Sequence, residues 1–210
     1  MTYKRALLFT GGPSPVGLDQ LPEFDLVIAA DRGADHAITH GLGVDLLVGD
    51  MDSVSLEALD ACRETIQHPV DKDETDLELS LEAAVQSGVK AITVIASNAG
   101  RLDHSLGNLL AMASDRWSSL EIDALVDENR LYVVRDNIHL KGLVGNLVSL
   151  LAIAGPATGV STTGLHWALH DARLEEGSGL GLSNKFAQAN ASITVGTGVI
   201  FVILPIEKGP

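Results

Sequence analysis

The chain has 210 residues and a formal net charge of −14, because it carries 14 basic and 28 acidic side chains. A hydrophobic fraction of 46% is typical of a globular protein and excludes a disordered chain, while the acidic charge argues against a nucleic-acid partner, which needs a basic face. Cys62 is the single cysteine, so no intramolecular disulfide can form. No apolar run approaches the roughly 18 residues that span a membrane and no signal peptide is evident, so we expect a cytoplasmic protein with no membrane partner.

The charge is distributed unevenly along the chain. Residues 1–137 contain 10 basic and 24 acidic side chains, whereas residues 138–210 contain four of each sign. Because neighbouring regions of one domain rarely differ so strongly, this division predicts two domains.

The first part of the chain alternates short apolar runs with amphipathic segments. The apolar runs predict buried strands over residues 6–9, 26–30, 46–48 and 91–95. Helices are predicted after the second strand, from the N-cap residue Ser55, from Thr75 or Asp76, and over 106–112. Apolar strands separated by helices are typical of a mostly parallel sheet that is covered on both faces. We therefore predict an α/β domain over residues 1–121.

The pattern changes after residue 121. Short β-type runs follow one another between turn residues and frequent glycines, at 122–126, 131–134, 147–151, 191–195 and 199–204. No convincing helical periodicity interrupts these runs. The pattern favours an antiparallel β-sandwich or barrel, and we predict a β-sandwich domain over residues 122–210.

Acidic residues follow several of the predicted parallel strands, where ligands bind in α/β sheets. Asp50 and Asp52 lie on one turn and can reach the same cation, and Asp76 can supply a third oxygen. Mg²⁺ prefers such carboxylates, with waters and substrate phosphates completing its shell. For an isolated Asp-x-Asp pair, turn and helix-capping roles are an equal alternative. The acidic run at residues 71–76 favours the metal.

Two basic residues could bind a phosphate near this predicted metal site. Arg101 follows a strand in a loop, where a guanidinium can bind a phosphate bidentately, but it could equally pair with Asp103. Lys72 could bind the same phosphate or form only a surface ion pair with its acidic neighbours. The chain has no P-loop motif, which excludes a P-loop NTPase.

Five short motifs together resemble the thiamine pyrophosphokinase family. They are Gly-Asp-Met-Asp-Ser at 49–53, Asp-Lys-Asp-Glu-Thr-Asp at 71–76, Gly-Arg-Leu-Asp-His at 100–104, Val-Ser-Thr-Thr-Gly-Leu-His-Trp at 160–167 and Leu-Ser-Asn at 182–184. Each is short, but their joint order covers nearly the whole chain. The resemblance implies an α/β domain that binds ATP, a C-terminal β-sandwich that binds thiamine, and a homodimer with active sites between its subunits.

The resemblance also implies roles for individual residues. Asp50, Asp52 and Asp76 would hold Mg²⁺ and, together with Arg101, form the catalytic group. The residues implied around ATP and its phosphates are Asp31, Gly33, Lys72, Thr75, Arg101 and Asp103.

For thiamine, the resemblance implies contacts from Ser183 and Asn184 and an aromatic face from Phe186. The chain departs from the family at Gly181-Leu182, where many members have a second Ser-Thr, and at residue 186, where some have Trp. Phenylalanine keeps a stacking face but attracts a cation less strongly. Trp167, although part of a motif, is expected to pack in the core.

The implied reaction transfers the β,γ-diphosphate of ATP to the hydroxyethyl oxygen of thiamine and releases AMP. Two alternatives remain at this point. A Mg²⁺-dependent nucleotide phosphohydrolase would use the same carboxylates with water, and a non-catalytic sensor would bind thiamine or nucleotide without turnover.

Overall fold

The computed structural model of the protein describes residues 4–15, 18 and 21–206, which divide into two units. The N-terminal unit comprises Met1–Ala111 and Ser119–Asp127, and the C-terminal unit comprises Met112–Ser118 and Glu128–Pro210. The boundary predicted at residues 121 and 122 falls within a strand of the N-terminal unit. That strand pairs in parallel with its neighbour Ala91–Ala96, which is why it belongs to this unit.

The sheet of the N-terminal unit is parallel at every one of its described pairings. Its six described strands are β1 (Arg5–Phe9), β2 (Leu26–Ala30), β3 (Leu46–Gly49), β4 (Glu64–Gln67), β5 (Ala91–Ala96) and β6 (Glu121–Val126). They are ordered β4-β3-β2-β1-β5-β6. The strands β1, β2 and β3 are apolar and almost wholly buried, as expected for a parallel sheet covered on both faces. The predicted α/β architecture is confirmed.

The described residues of this unit form four α-helices, whose ends follow from local sequence. They are α1 (Gly33–Thr39), α2 (Leu56–Ala61), α3 (Asp76–Gln86) and α4 (Leu102–Met112). Ser55 caps α2 as predicted, because its side chain accepts a hydrogen bond from the Ala58 amide. Thr75 caps α3 through a capping box with Glu78, in which each side chain accepts a hydrogen bond from the other residue's amide. The helix α4 begins four residues earlier than predicted.

Up to residue 206, the C-terminal unit contains seven antiparallel strands and a short 3₁₀ helix (Asp115–Trp117). The strands are β7 (Asn129–Val134), β8 (Asn137–Lys141), β9 (Leu147–Thr163), β10 (Ala172–Leu174), β11 (Asn184–Lys185), β12 (Asn190–Thr194) and β13 (Thr197–Pro205). The long strand β9 pairs with β13 along its first part and with β12 along its last part. It bends at Ala154 and Gly155, both of which have positive φ angles.

This bend lets one strand contribute to two sheets, β7-β13-β9 and β8-β12-β9, with a shared apolar core between them. Core residues come from both sheets, for example Val148, Ile193 and Ile200. The predicted β-sandwich is confirmed. Among the described residues, no helix has the length and apolar character required to cross a membrane.

Candidate active site

A cleft of about 900 Å³ opens at the carboxyl ends of the parallel strands in the N-terminal unit. Segments that follow β1, β2, β3 and β5 line it, together with the first turns of α3 and α4. Seven of the nine residues predicted for metal and nucleotide lie in its wall: Asp31, Asp50, Asp52, Thr75, Asp76, Arg101 and Asp103. The sheet therefore brings together side chains that are more than 70 residues apart in sequence.

Three carboxylates form the centre of the cleft. Oxygen atoms of Asp31, Asp50 and Asp52 all lie within 4.8 Å of one another, so the three could bind one metal ion. The predicted set had Asp76 in place of Asp31. In the structure Asp76 is adjacent to this group, because its carboxyl shares a hydrogen bond with that of Asp31. The four carboxylates together are called the aspartate cluster below.

The backbone around the cluster adopts uncommon conformations. Asp31 and Met51 have φ angles of +44° and +69°, and the Met51 amide donates a hydrogen bond of 3.1 Å to Asp31 Oδ1. Gly49 has a φ of +150°, and a Cβ there would lie only 1.9 Å from Asp31 Oδ1. Glycine is therefore required at residue 49 to leave room for the carboxylate. Strained conformations of this kind concentrate at functional sites.

The electrostatics of the cluster are unfavourable without a cation. Burial, the hydrogen bond with Asp76 and the charges of Asp76 and Asp50 raise the pKa of Asp31 to about 7, although the Met51 amide opposes the shift. A carboxylate ionised at this location is therefore costly, and a bound cation would remove that cost.

Lys72 lies inside the cluster and not at the surface. Its Nζ is 2.7 Å from Asp76 Oδ1 and 3.9 Å from Asp50 Oδ2, and its side chain is only 12% exposed. The alternative of a surface ion pair is therefore wrong. Burial acts to lower the pKa of Lys72, but the contact with Asp76 and the charges of the other carboxylates outweigh it and raise the pKa.

Arg101 and Asp103 form an exposed ion pair at the rim of the cleft. Arg101 Nε and Nη2 donate to the two carboxylate oxygens of Asp103 at 3.2 and 2.6 Å. The hydrogen bond from Arg101 holds the pKa of Asp103 at about 2. The pairing considered as an alternative to phosphate binding is therefore present, and a phosphate would have to compete with Asp103 for the guanidinium.

Two other residues predicted around the nucleotide have clear structural roles. Gly33 opens α1 so close to β1 that a Cβ would lie 2.1 Å from the Phe9 carbonyl oxygen. Thr75 caps α3 as described above, and its backbone still lines the cleft. The buried residue His36, which the sequence did not single out, donates from Nε2 to the Gly12 carbonyl at 2.9 Å and so ties α1 to the cleft wall.

The three residues predicted for thiamine all lie in the C-terminal unit, but only one is exposed. Ser183 is exposed, has a φ of +54°, and donates from its amide to Ser149 Oγ at 3.0 Å. Phe186 is 1% exposed and packs in the core of the sandwich. Its ring is therefore not available to a ligand, and the stacking role predicted for it does not fit the structure.

Asn184 is also buried, and its amide group holds a neighbouring loop. Its Oδ1 accepts from the Trp167 amide at 3.1 Å, and its Nδ2 donates to the Trp167 carbonyl at 2.8 Å. The Trp167 side chain itself is 55% exposed and meets the His166 ring edge-on. The expectation that Trp167 packs in the core is wrong. The Trp167 ring is exposed, and the Asn184 side chain hydrogen-bonds to the Trp167 backbone.

Comparison with known proteins identifies both units. Residues 19–122 match the family model described as thiamin pyrophosphokinase, catalytic domain, and residues 135–200 match the model described as thiamin pyrophosphokinase, vitamin B1 binding domain. The chain belongs to the thiamin pyrophosphokinase family. The resemblance inferred from the five motifs is confirmed, and the enzyme class that it implied, a thiamine diphosphokinase, is the one that this family represents.

Individual thiamin pyrophosphokinases agree with this assignment. Thiamine pyrophosphokinase 1 of Oryza sativa subsp. japonica is 25% identical over 174 residues, which cover 76% of this chain and 65% of that protein. Thiamine pyrophosphokinase of Bacillus subtilis is 22% identical over 205 residues, or 93% of this chain and 96% of that protein. The chain thus spans about two thirds of the rice relative and nearly all of the bacterial one. The crystal structure of the Bacillus subtilis protein has the same fold, with a TM-score of 0.84, 21% identity, and coverage of 98% of this chain and 100% of that one.

Proposed function

We propose that this chain is a thiamine diphosphokinase that uses Mg²⁺ and ATP to convert thiamine into thiamine diphosphate, releasing AMP. The observation that carries the proposal is the aspartate cluster, which lies in the cleft of the unit that matches the family's catalytic domain. The proposal includes a cytoplasmic location, where ATP is available as a substrate.

The residues of the cluster fit a hard divalent cation. Every donor is a carboxylate oxygen, which is the ligand type that Mg²⁺ prefers. Burial and the neighbouring carboxyl groups of Asp76 and Asp50 raise the pKa of Asp31, so that a negative charge there is costly and a bound cation would stabilise it. Asp50, Asp52 and Asp31 would hold the metal, with Asp76 adjacent. Bound there, Mg²⁺ would neutralise charge on the phosphate oxygens and orient the triphosphate.

The protein's own residues would position the two substrates for an in-line displacement. The hydroxyethyl oxygen of thiamine forms a bond to the β-phosphorus of ATP while the bond from that phosphorus to the AMP oxygen breaks. The hydroxyl proton passes to a carboxylate of the cluster or to water. Arg101 would exchange Asp103 for a phosphate, and its charge at the rim would stabilise the diphosphate as it is transferred.

On the thiamine side, Trp167 and Ser183 replace Phe186 as the contact residues of this proposal. The exposed indole offers a face to the cationic thiazolium or to the pyrimidine of thiamine, which an aromatic ring binds well. Asn184 would act as a positioning residue, because it holds the Trp167 backbone at both its amide and its carbonyl.

A homodimer completes the proposal. Leu102, Leu106 and Leu110 are spaced four residues apart on α4, so they share one face of the helix, and all three are exposed. An apolar stripe of this kind is a candidate contact with a second copy. Light scattering coupled to size-exclusion chromatography would test it. A monomer at micromolar concentration would contradict this part of the proposal.

The test of the reaction is mass spectrometry of thiamine diphosphate and AMP after incubation with ATP and Mg²⁺, with and without thiamine. We expect both products only when thiamine is present. AMP or ADP formed equally without thiamine would indicate a phosphohydrolase, and bound thiamine without any product would indicate a sensor. Either result would contradict the proposal.

A further inference from the structure

The position of Lys72 in the aspartate cluster carries an inference about how the site handles its metal. Lys72 lies four residues before Asp76, and its Nζ contacts that carboxylate at 2.7 Å and approaches Asp50 to 3.9 Å. Nζ and Asp76 Oδ1 are both buried. The ammonium is therefore held among the carboxylates by the negative charges of Asp76 and Asp50.

This arrangement places a single positive charge where a divalent ion would need the same oxygens. Asp50 belongs to the group of three carboxylates that could bind one metal ion, and Asp76 shares a hydrogen bond with Asp31, a second member of that group. A fixed ammonium so close repels an incoming cation, and in a partly buried site solvent screens this repulsion only weakly. A nucleotide triphosphate brings enough negative charge to offset the repulsion.

We propose that Lys72 is the resident counterion of the aspartate cluster: it stabilises the cluster before the metal binds, and it weakens binding of the bare ion so that metal and nucleotide bind together. This inference rests on the proposed function for the identity of the nucleotide. Lys72 is here a positioning residue, since it acts through Asp50 and Asp76.

The test compares Lys72→Met, which keeps an unbranched side chain one atom shorter and removes its charge, with Lys72→Arg, which keeps the charge. Lys90→Met is the matched control, because Lys90 is exposed and directly precedes β5, at the end of the strand opposite to the cleft. If Lys72→Met does not fold, Lys72→Gln replaces it. Mn²⁺ binding, measured by calorimetry with and without a non-hydrolysable ATP analogue, is the first readout.

Without nucleotide, we expect Lys72→Met to bind Mn²⁺ about tenfold more tightly than the wild type, because one repelling charge is gone. The wild type, Lys72→Arg and Lys90→Met should bind it similarly and weakly. With the ATP analogue the wild type should gain at least tenfold in Mn²⁺ affinity, and Lys72→Met should gain less. The second readout is the melting temperature in the presence of chelator. Compared with the wild type, it should fall in Lys72→Met but not in Lys72→Arg or Lys90→Met, and it should recover when Mn²⁺ is added.

Two results would overturn the inference. One is an equal affinity of the wild type and Lys72→Met for bare Mn²⁺, with only nucleotide affinity reduced, which would make Lys72 a simple phosphate ligand. The other is a wild type that binds Mn²⁺ neither alone nor with nucleotide. Neither readout uses thiamine or turnover, so a failure of the proposed reaction would appear separately, as absent thiamine diphosphate with the Mn²⁺ results intact.

Discussion

The motif residues of the two units are used in opposite ways. In the N-terminal unit the motif carboxylates lie in the wall of an open cleft, where a ligand can reach them. In the C-terminal unit two of the three predicted residues, Asn184 and Phe186, are buried, and the exposed aromatic group is Trp167. A motif can therefore mark either the residues that contact a ligand or the residues that fix the backbone beneath them. Burial distinguishes the two cases.

The largest effect is expected from the cluster. Asp52→Asn should reduce thiamine diphosphate formation by about a thousandfold, because it removes an exposed donor to the metal without disturbing the core. Steady-state turnover at saturating Mg²⁺ measures this, and Asp60→Asn, at an exposed position of α2, is the control. Turnover of Asp52→Asn near that of the wild type would exclude its metal role.

Phe186 should show the opposite profile, a large loss of stability. Phe186→Ala removes a fully buried ring from the sandwich core and should lower the free energy of unfolding by about 3–5 kcal/mol. Phe186→Leu should restore most of it while leaving the KM for thiamine unchanged, as chemical denaturation and kinetics would show. If Phe186→Leu raised that KM strongly at normal stability, the ring would be a ligand contact after all.

Trp167 should affect binding more than folding. Trp167→Ala should raise the KM for thiamine about tenfold and leave the KM for ATP unchanged, since an aromatic contact that becomes desolvated on binding contributes roughly 1–2 kcal/mol to cation binding. Trp167→Phe should retain most of the affinity. An unchanged thiamine KM in Trp167→Ala would remove this residue from the thiamine site.

The smallest expected effect concerns stability and pH at Asp31. Its folded pKa of about 7 lies above the ordinary value of 3.8, so the metal-free protein loses stability as pH rises from about 4 through 7. Asp31→Asn removes that loss, and asparagine also tolerates the positive φ at this residue. In chelator at pH 8 the variant should melt a few degrees higher than the wild type, by roughly 2–4 °C per kcal/mol gained. The difference should shrink at pH 5. An equal or lower melting temperature at pH 8 would contradict the raised pKa of Asp31.

The sequence predicted the fold well where local signals act alone. The capping residues Ser55 and Thr75 marked two helix starts, and apolar runs marked the buried strands. Strand β4 was not predicted, because its residues, Glu64 to Gln67, are mostly polar. The strand lies at the edge of the sheet, where most of its side chains are exposed and no apolar run marks it.

The candidate site was predicted less completely, because it depends on positions that only the folded chain defines. The Asp31 carboxylate lies beside those of Asp50 and Asp52 because Asp31 has a positive φ and because Gly49 leaves room for it. No local sequence pattern reveals either feature. The burial of Phe186 and the exposure of Trp167 have a similar cause. Phe186 follows β11, which is only two residues long, and Trp167 lies in a bend outside the described strands, so no alternation shows which of these side chains faces the core.

We propose that Asp31, Asp50 and Asp52 bind a divalent ion together with the triphosphate. Anomalous diffraction from a crystal grown with Mn²⁺ and a non-hydrolysable ATP analogue would locate that ion. We expect a manganese peak within about 2.3 Å of at least two of these carboxylates and of a phosphate oxygen. A triphosphate bound in the cleft with no manganese at the carboxylates, or manganese at a different place in the chain, would contradict it.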